Sequence, residues 1–261
     1  MWRLSGYFGD IIRAMGFLSR IPMPSGFFGE GAFDLTRTVR AFPVAGFIIS
    51  LPAAFAFWLF LMSDASPLLS AFVALAIQTL ITGALHEDGL ADTADGFWGG
   101  RDKQRILEIM HDSRSGAYGV AGLILSFGLR ASALASLAEQ VLAATATLIF
   151  LAAEMLSRLA MVVHWSLTVP ARSDGVAASA GQPQNGAVAL ASFTGVILAF
   201  LLCIPVTGQV TTLLMIAAAF AAAYVFSGLT KGKIGGHTGD TLGACQQLAA
   251  IAVLLVAALL S

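Results

Sequence analysis

The sequence predicts an all-α, polytopic integral membrane protein: about seven transmembrane helices with an N-terminal amphipathic helix. Of its 261 residues 57% are hydrophobic and 11% charged, at a mean hydropathy of +0.84. A soluble domain carries roughly twice that charge. Long apolar runs recur along the chain, each near the ~20 residues that cross a ~30 Å hydrocarbon core. Lys and Arg gather in alternate loops only, as the positive-inside rule requires. The net charge of −1 supplies no basic field, so no nucleic-acid partner is expected.

The N-terminal segment is broken by Arg3, Asp10 and Arg13, which rules out the continuous apolar core of a signal peptide. Its apolar residues, among them Trp2, Leu4, Tyr7, Phe8, Ile11, Ile12, Met15 and Leu18, fit a helix lying on the membrane surface. An ordinary soluble helix fits them as well.

Spans are expected at Phe42–Met62, Pro67–Leu85, Gly119–Leu137, Val141–Trp165, Ala187–Pro205, Val210–Ser227 and Leu242–Leu260. The fourth is long enough to break or to extend past the interface near Arg158. Of the 14 Lys and Arg residues only Arg130 is expected inside a span, with Arg158 and Arg172 set at or after the end of the fourth. The loops Ser63–Ser66, Ala138–Gln140 and Val206–Gln209 hold none. This asymmetry places the N-terminus in the cytoplasm and the C-terminus outside. The chain then reads as one transmembrane domain over 1–261. Residues 1–41 form a cytoplasmic or interfacial segment, and 42–260 form the bundle, with cytoplasmic active-site loops at 86–118 and 229–241. Cys203 and Cys245 fall near opposite faces, too far apart for a disulfide.

Chemistry concentrates in His86-Glu87-Asp88-Gly89-Leu90-Ala91-Asp92-Thr93-Ala94-Asp95-Gly96. In a helix Asp88, Asp92 and Asp95 stand at i, i+4 and i+7 on one stripe, with Glu87 beside it. Like charges so placed repel unless their pKa values rise or a cation binds. Oxygen ligands alone point to a hard ion such as Mg²⁺, Mn²⁺ or Ca²⁺. Glu87, Asp88, Asp92 and Asp95 are therefore the candidate metal ligands. Asp88, Asp92, Asp95 and His86 are the candidate catalytic groups. A solvated loop partnered by Arg101, Lys103 and Arg105 is the alternative.

Two further segments reach the same face. Gly235 and Gly236 with His237 and Asp240 precede the last span, where converging N–H groups and a helix N-terminus favour anions. Lys231 and Lys233 lie just upstream. A turn capped by Asp240 or Thr241 is the plain reading. Arg114 could clamp a phosphate or pair with Asp112. The phosphate-binding candidates are thus Arg114, Lys231, Gly236, His237 and Asp240. A charge buried mid-membrane costs several kcal/mol, about 3 on insertion scales, so Arg130 is expected to pair with Glu154, which could be shared with Arg158 at i+4.

The segments Phe17-Leu18-Ser19-Arg20-Ile21-Pro22-Met23-Pro24, His86–Gly96, Asp112–Val120 and Thr238-Gly239-Asp240-Thr241-Leu242-Gly243-Ala244 together resemble the cobalamin synthase family, also called adenosylcobinamide-GDP ribazoletransferases. The resemblance runs from about residue 17 to the end. It implies joining of α-ribazole, or its 5′-phosphate, to adenosylcobinamide-GDP, with release of GMP and dependence on Mg²⁺. The family's acidic motif falls on Glu87, Asp88, Asp92 and Asp95, and Ser173–Gly186 has no assigned counterpart. Homo-oligomerisation stays open. The CDP-alcohol phosphotransferases begin similarly, but Asp92 and Thr93 stand here where their motif has Ala-Arg. A transporter would place its acids near the midplane, whereas these gather at one cytoplasmic edge.

Overall fold

The computed structural model describes residues 4–27, 34–112, 114–172 and 180–260. Trp2, Arg3 and half of the loop 173–186 lie outside them. The described residues form helices joined by short connections, with one isolated parallel bridge between Pro170 and His237. The helices are α1 (Leu4–Leu18), α2 (Leu35–Thr38), α3 (Phe42–Met62), α4 (Pro67–Thr82) and α5 (Leu85–Gly99). After them come α6 (Lys103–Ile109), α7 (Ala117–Gln140), α8 (Ala143–Leu167), α9 (Asn185–Ile234) and α10 (Gly239–Leu260).

Helix α8 forms the axis of the bundle and is buried on nearly every side, with α3, α9 and α10 against it. Its small residues Ala146, Ala152, Ala153 and Ala160 let neighbours approach closely, the usual means of helix association in a bilayer. The outer helices keep large apolar side chains exposed, among them Phe55, Leu80, Ile124, Phe193 and Val225. Helix α1 turns Ala14, Met15 and Leu18 inward and leaves Phe8 exposed. Its buried Asp10 accepts from Arg40 Nε at 2.6 Å and Arg13 at 2.9 Å.

Five helices are long and apolar enough to cross a membrane, or six when the bent pair α4 and α5 counts as one span. The expected count of seven is not reached by that measure, for two reasons. Helix α4 has only 16 residues, short of a full crossing. Helix α9 is one run of 50 residues, about 75 Å if straight. It is not straight, because Gly208 (φ 78°, ψ 173°) leaves helical geometry just after Pro205. Gly195 packs on Leu159 while Ser227 bonds His164, both on α8. The arms 185–207 and 209–234 therefore return to the same end of the bundle.

The turn between α4 and α5 sets the site. Gly83 (φ 65°) and Ala84 (φ 57°) are both left-handed, and the chain bends by 91°. A Cβ at Gly83 would lie 2.5 Å from Arg20 Cγ, and the Arg20 N–H donates to Ile81 O at 2.8 Å. Helix α5, too polar to span alone, is thus laid across the end of the bundle.

Inside the membrane core the partner of Arg130 differs from expectation, while the pairing of Glu154 with Arg158 agrees with it. Arg130 faces Glu87, at 3.5 Å, while Glu154 bonds Arg158 one turn along α8. Arg158 itself lies within α8 and is 1% exposed, so Arg130 is not alone in lying inside a spanning helix. Sequence depth fixes a partner only to about a helical turn, and Glu87 and Glu154 both fall within it. Cys203 and Cys245 are free and buried.

Candidate active site

Two glycines bring α5 against α10. A Cβ at Gly89 would lie 2.6 Å from Asp240 O, and one at Gly243 would lie 3.2 Å from His86 Cα. The contact sets Asp240, in the first turn of α10, beside the exposed Asp88 and half-buried Asp92 of α5. Burial and then the charges of Asp88, Asp240 and Asp95 push the Asp92 carboxyl up to about 7. The acids of the stripe do face one another, and Asp240 joins them.

Asp95 ends the stripe differently. Its carboxylate accepts the N–H of Gly116 at 2.6 Å and of Gly119 at 2.9 Å, capping α7 from another helix. The residue at the α7 cap, Gly116, offers no side chain of its own, and a carboxylate is well placed against a helix N-terminus. Glu87 points the other way, into the bundle. It faces Arg130 and accepts from Gln247 at 3.0 Å and Thr79 at 3.4 Å. His86 is 1% exposed, enclosed between α5 and α10. Among the described residues no three His, Cys, Asp or Glu side chains converge closely enough to enclose a metal ion.

The loop before α10 is more closed than a cradle of free N–H groups. The His237 N–H donates to Val169 O and the Ala171 N–H donates to His237 O, each at 2.8 Å. Gly236 lies directly on the Val169 carbonyl, where no side chain would fit. Thr238 and Thr241 cap α10 reciprocally, Thr238 N–H to Thr241 Oγ1 at 2.9 Å and Thr241 N–H to Thr238 Oγ1 at 3.3 Å. His237 is buried against Thr168 Oγ1 at 2.9 Å, and burial pushes its imidazole down to about 4.

Lys231 is exposed. Lys233 donates to Phe97 O at 2.8 Å, holding the C-terminal turn of α5, where a cation is favoured. Arg114 forks onto Asp112 at 2.7 and 3.1 Å while remaining exposed. That pairing holds the Asp112 carboxyl down at about 2.

Sequence reasoning missed Arg172. The 168–171 segment, bridged to His237, carries it to 4.0 Å from Asp240. Only the 237–169 pairing puts it there, and no local pattern announces that contact. Gln247 was also missed, although a glutamine in an apolar span is a visible signal.

The sequence profile of cobalamin-5-phosphate synthase matches residues 10–258. The adenosylcobinamide-GDP ribazoletransferase of Sinorhizobium medicae (strain WSM419) is 50% identical over 258 residues, 97% of each chain. That of Rhizobium meliloti (strain 1021) is 51% identical over 249 residues, 94% of each chain. The one from Brucella canis (strain ATCC 23365 / NCTC 10854 / RM-666) is 39% identical over 251 residues, 96% of each. No solved structure matches the chain.

Proposed function

Because the chain belongs to the cobalamin-5-phosphate synthase family, we propose that it joins α-ribazole, or its 5′-phosphate, to adenosylcobinamide-GDP, releasing GMP in a late step of cobalamin synthesis. The reaction forms one P–O bond from a ribazole hydroxyl and breaks the P–O–P bond that holds GMP. The observation that carries the reading is the stripe Asp88 and Asp92 with Asp240 set against it through Gly89.

Mg²⁺ is commonly held by one or two carboxylates and completed by water and substrate phosphates. The residues fit an ion recruited with its substrate. Asp92 is half-buried among acids and pushed up to about 7, a place short of positive charge. Asp88 and Asp92, with Asp240 beside them, would hold it. Bound there, the ion supplies neutralisation of charge on the transferring and leaving oxygens. Asp95 keeps the 116–119 turn, and with it α7, against the acidic helix. Glu87 and Arg130 fix α5 from behind. Phosphoryl transfer depends on such positioning more than on covalent chemistry by the protein.

The site faces the cytoplasm of the bacterial inner membrane in this reading. The one-sided Lys and Arg distribution supports it, as does the gathering of α5, the 116–119 turn and the 235–238 loop at one end of the bundle. A lipid bilayer is the surrounding partner. The test is detergent-solubilised protein given adenosylcobinamide-GDP, α-ribazole and Mg²⁺. GMP should be released in equal amount with the joined product, without a membrane gradient. GMP release that does not depend on α-ribazole would contradict the transferase reading.

A further inference from the structure

Beside the acidic stripe, α6 and Arg172 border a shallow, open cleft of about 550 Å³ lined by Lys103, Gln104, Leu107, Glu108, His111 and Arg172. That volume falls within the roughly 300–1,000 Å³ of small-molecule sites. The cleft is cationic. Glu108 accepts from Arg105 at 3.1 Å and Gln104 at 3.2 Å, so the acid on the rim is matched on its own helix. Lys103 Nζ reaches over the Gly235 turn, 3.5 Å from where a Cβ would stand. Arg172 Nε is buried and has no hydrogen-bond partner among the described residues. Its far nitrogen stands a loose 4.0 Å from Asp240.

Among the described residues Arg172 links the acids to the cleft, with a donor edge unsatisfied. A buried guanidinium N–H without a partner is costly, and a planar fork suits phosphate oxygens. With the transferring phosphate at the acids, the other phosphate of the diphosphate, the one that leaves with the nucleoside, would meet Arg172 next. We propose that this cleft seats the nucleoside monophosphate half of the GDP-bearing substrate, with Arg172 and Lys103 on its phosphate. The inference rests on the proposed transferase reading and adds to it the seat of the leaving group. The phosphate contacts move from the Lys231 and Gly236 loop to the segment that this loop braces.

The probe is GMP itself, bound to the full detergent-solubilised chain in EDTA, measured by equilibrium dialysis with guanosine as the phosphate-free comparison. Arg172→Gln and Lys103→Ala should each weaken GMP binding about tenfold or more, the scale of one charge-assisted bond. Guanosine binding should change little, and Arg172→Lys should recover only part of the loss. Lys103 is exposed, so its variant tests the cleft even if Arg172 variants fold poorly. Equal GMP binding by wild type, Arg172→Gln and Lys103→Ala, beside normal wild-type turnover, would overturn the cleft and spare the transferase reading. Wild-type protein that binds GMP but never releases it from adenosylcobinamide-GDP would overturn the reading itself.

Discussion

Replacing Gly89 by Ala tests how closely α5 must approach α10. The added Cβ would stand 2.6 Å from Asp240 O and 3.0 Å from Asp240 Cα, where ordinary contact begins at 3.4 Å. Both atoms are backbone, so no side chain can rotate away. The helices must part by about 0.8 Å, the difference between 3.4 and 2.6 Å. Overpacking of this kind costs about 1–3 kcal/mol, while Gly to Ala inside a helix returns about 1 kcal/mol. The net loss of stability is about 0–2 kcal/mol, and the protein should remain folded. Activity should suffer far more, since a displacement near 1 Å at a reacting centre costs about 100-fold. Gly228→Ala is the control, because nothing lies within 4 Å of its Cβ position. The assay is the initial rate of GMP release, with folding followed by circular dichroism and thermal denaturation. A folded Gly89→Ala protein with more than half the wild-type rate would refute the argument that Asp240 must sit against the stripe.

Two further outcomes follow from the buried and clustered charges. In a double-mutant cycle Arg130→Leu and Glu87→Gln should couple by about 1–2 kcal/mol, and Arg130→Leu with Glu154→Gln by less; equal coupling would restore the partner expected from sequence depth. The Asp92 carboxyl is raised from 3.8 to about 7, so the stability it contributes is present below pH 3.8 and is lost as pH rises through about 7. Without divalent cation, Asp92→Asn should therefore melt higher than wild type at pH 8 and match it near pH 4. A difference independent of pH would show that the neighbouring acids do not act on Asp92.

The acidic stripe was legible because it is local: three aspartates at helical spacing define a face whatever surrounds it. Glu87 lies about 100° off that face on an ideal helix, and the structure gives it to the bundle instead. What could not be read was contact between distant segments. Nothing around Gly89 or Gly116 in sequence tells which distant segment each one meets. Each leaves room for a neighbour, Asp240 in one case and the Asp95 carboxylate in the other. Asp95 shares the stripe yet ends on the amides of α7, more than 20 residues away in the chain. The apolar runs marked most helices, but hydropathy could not show that α4 would stop at 16 residues or that Gly208 would fold α9 on itself. The plain reading of Arg114 as a partner of Asp112 matches the observed bonds; the last helix is capped as well, but by Thr238, which Thr241 answers, and not by Asp240.

The proposed site for a divalent cation recruited with the substrate is Asp88 and Asp92, with Asp240 beside them. Its most direct measurement is the Mg²⁺ dependence of GMP release for wild type beside Asp88→Asn, Asp92→Asn and Asp240→Asn. Each variant should stay folded, lose most of its activity and need more Mg²⁺ for half of whatever activity survives. An Asp92→Asn enzyme with the wild-type rate and the wild-type Mg²⁺ requirement would contradict it.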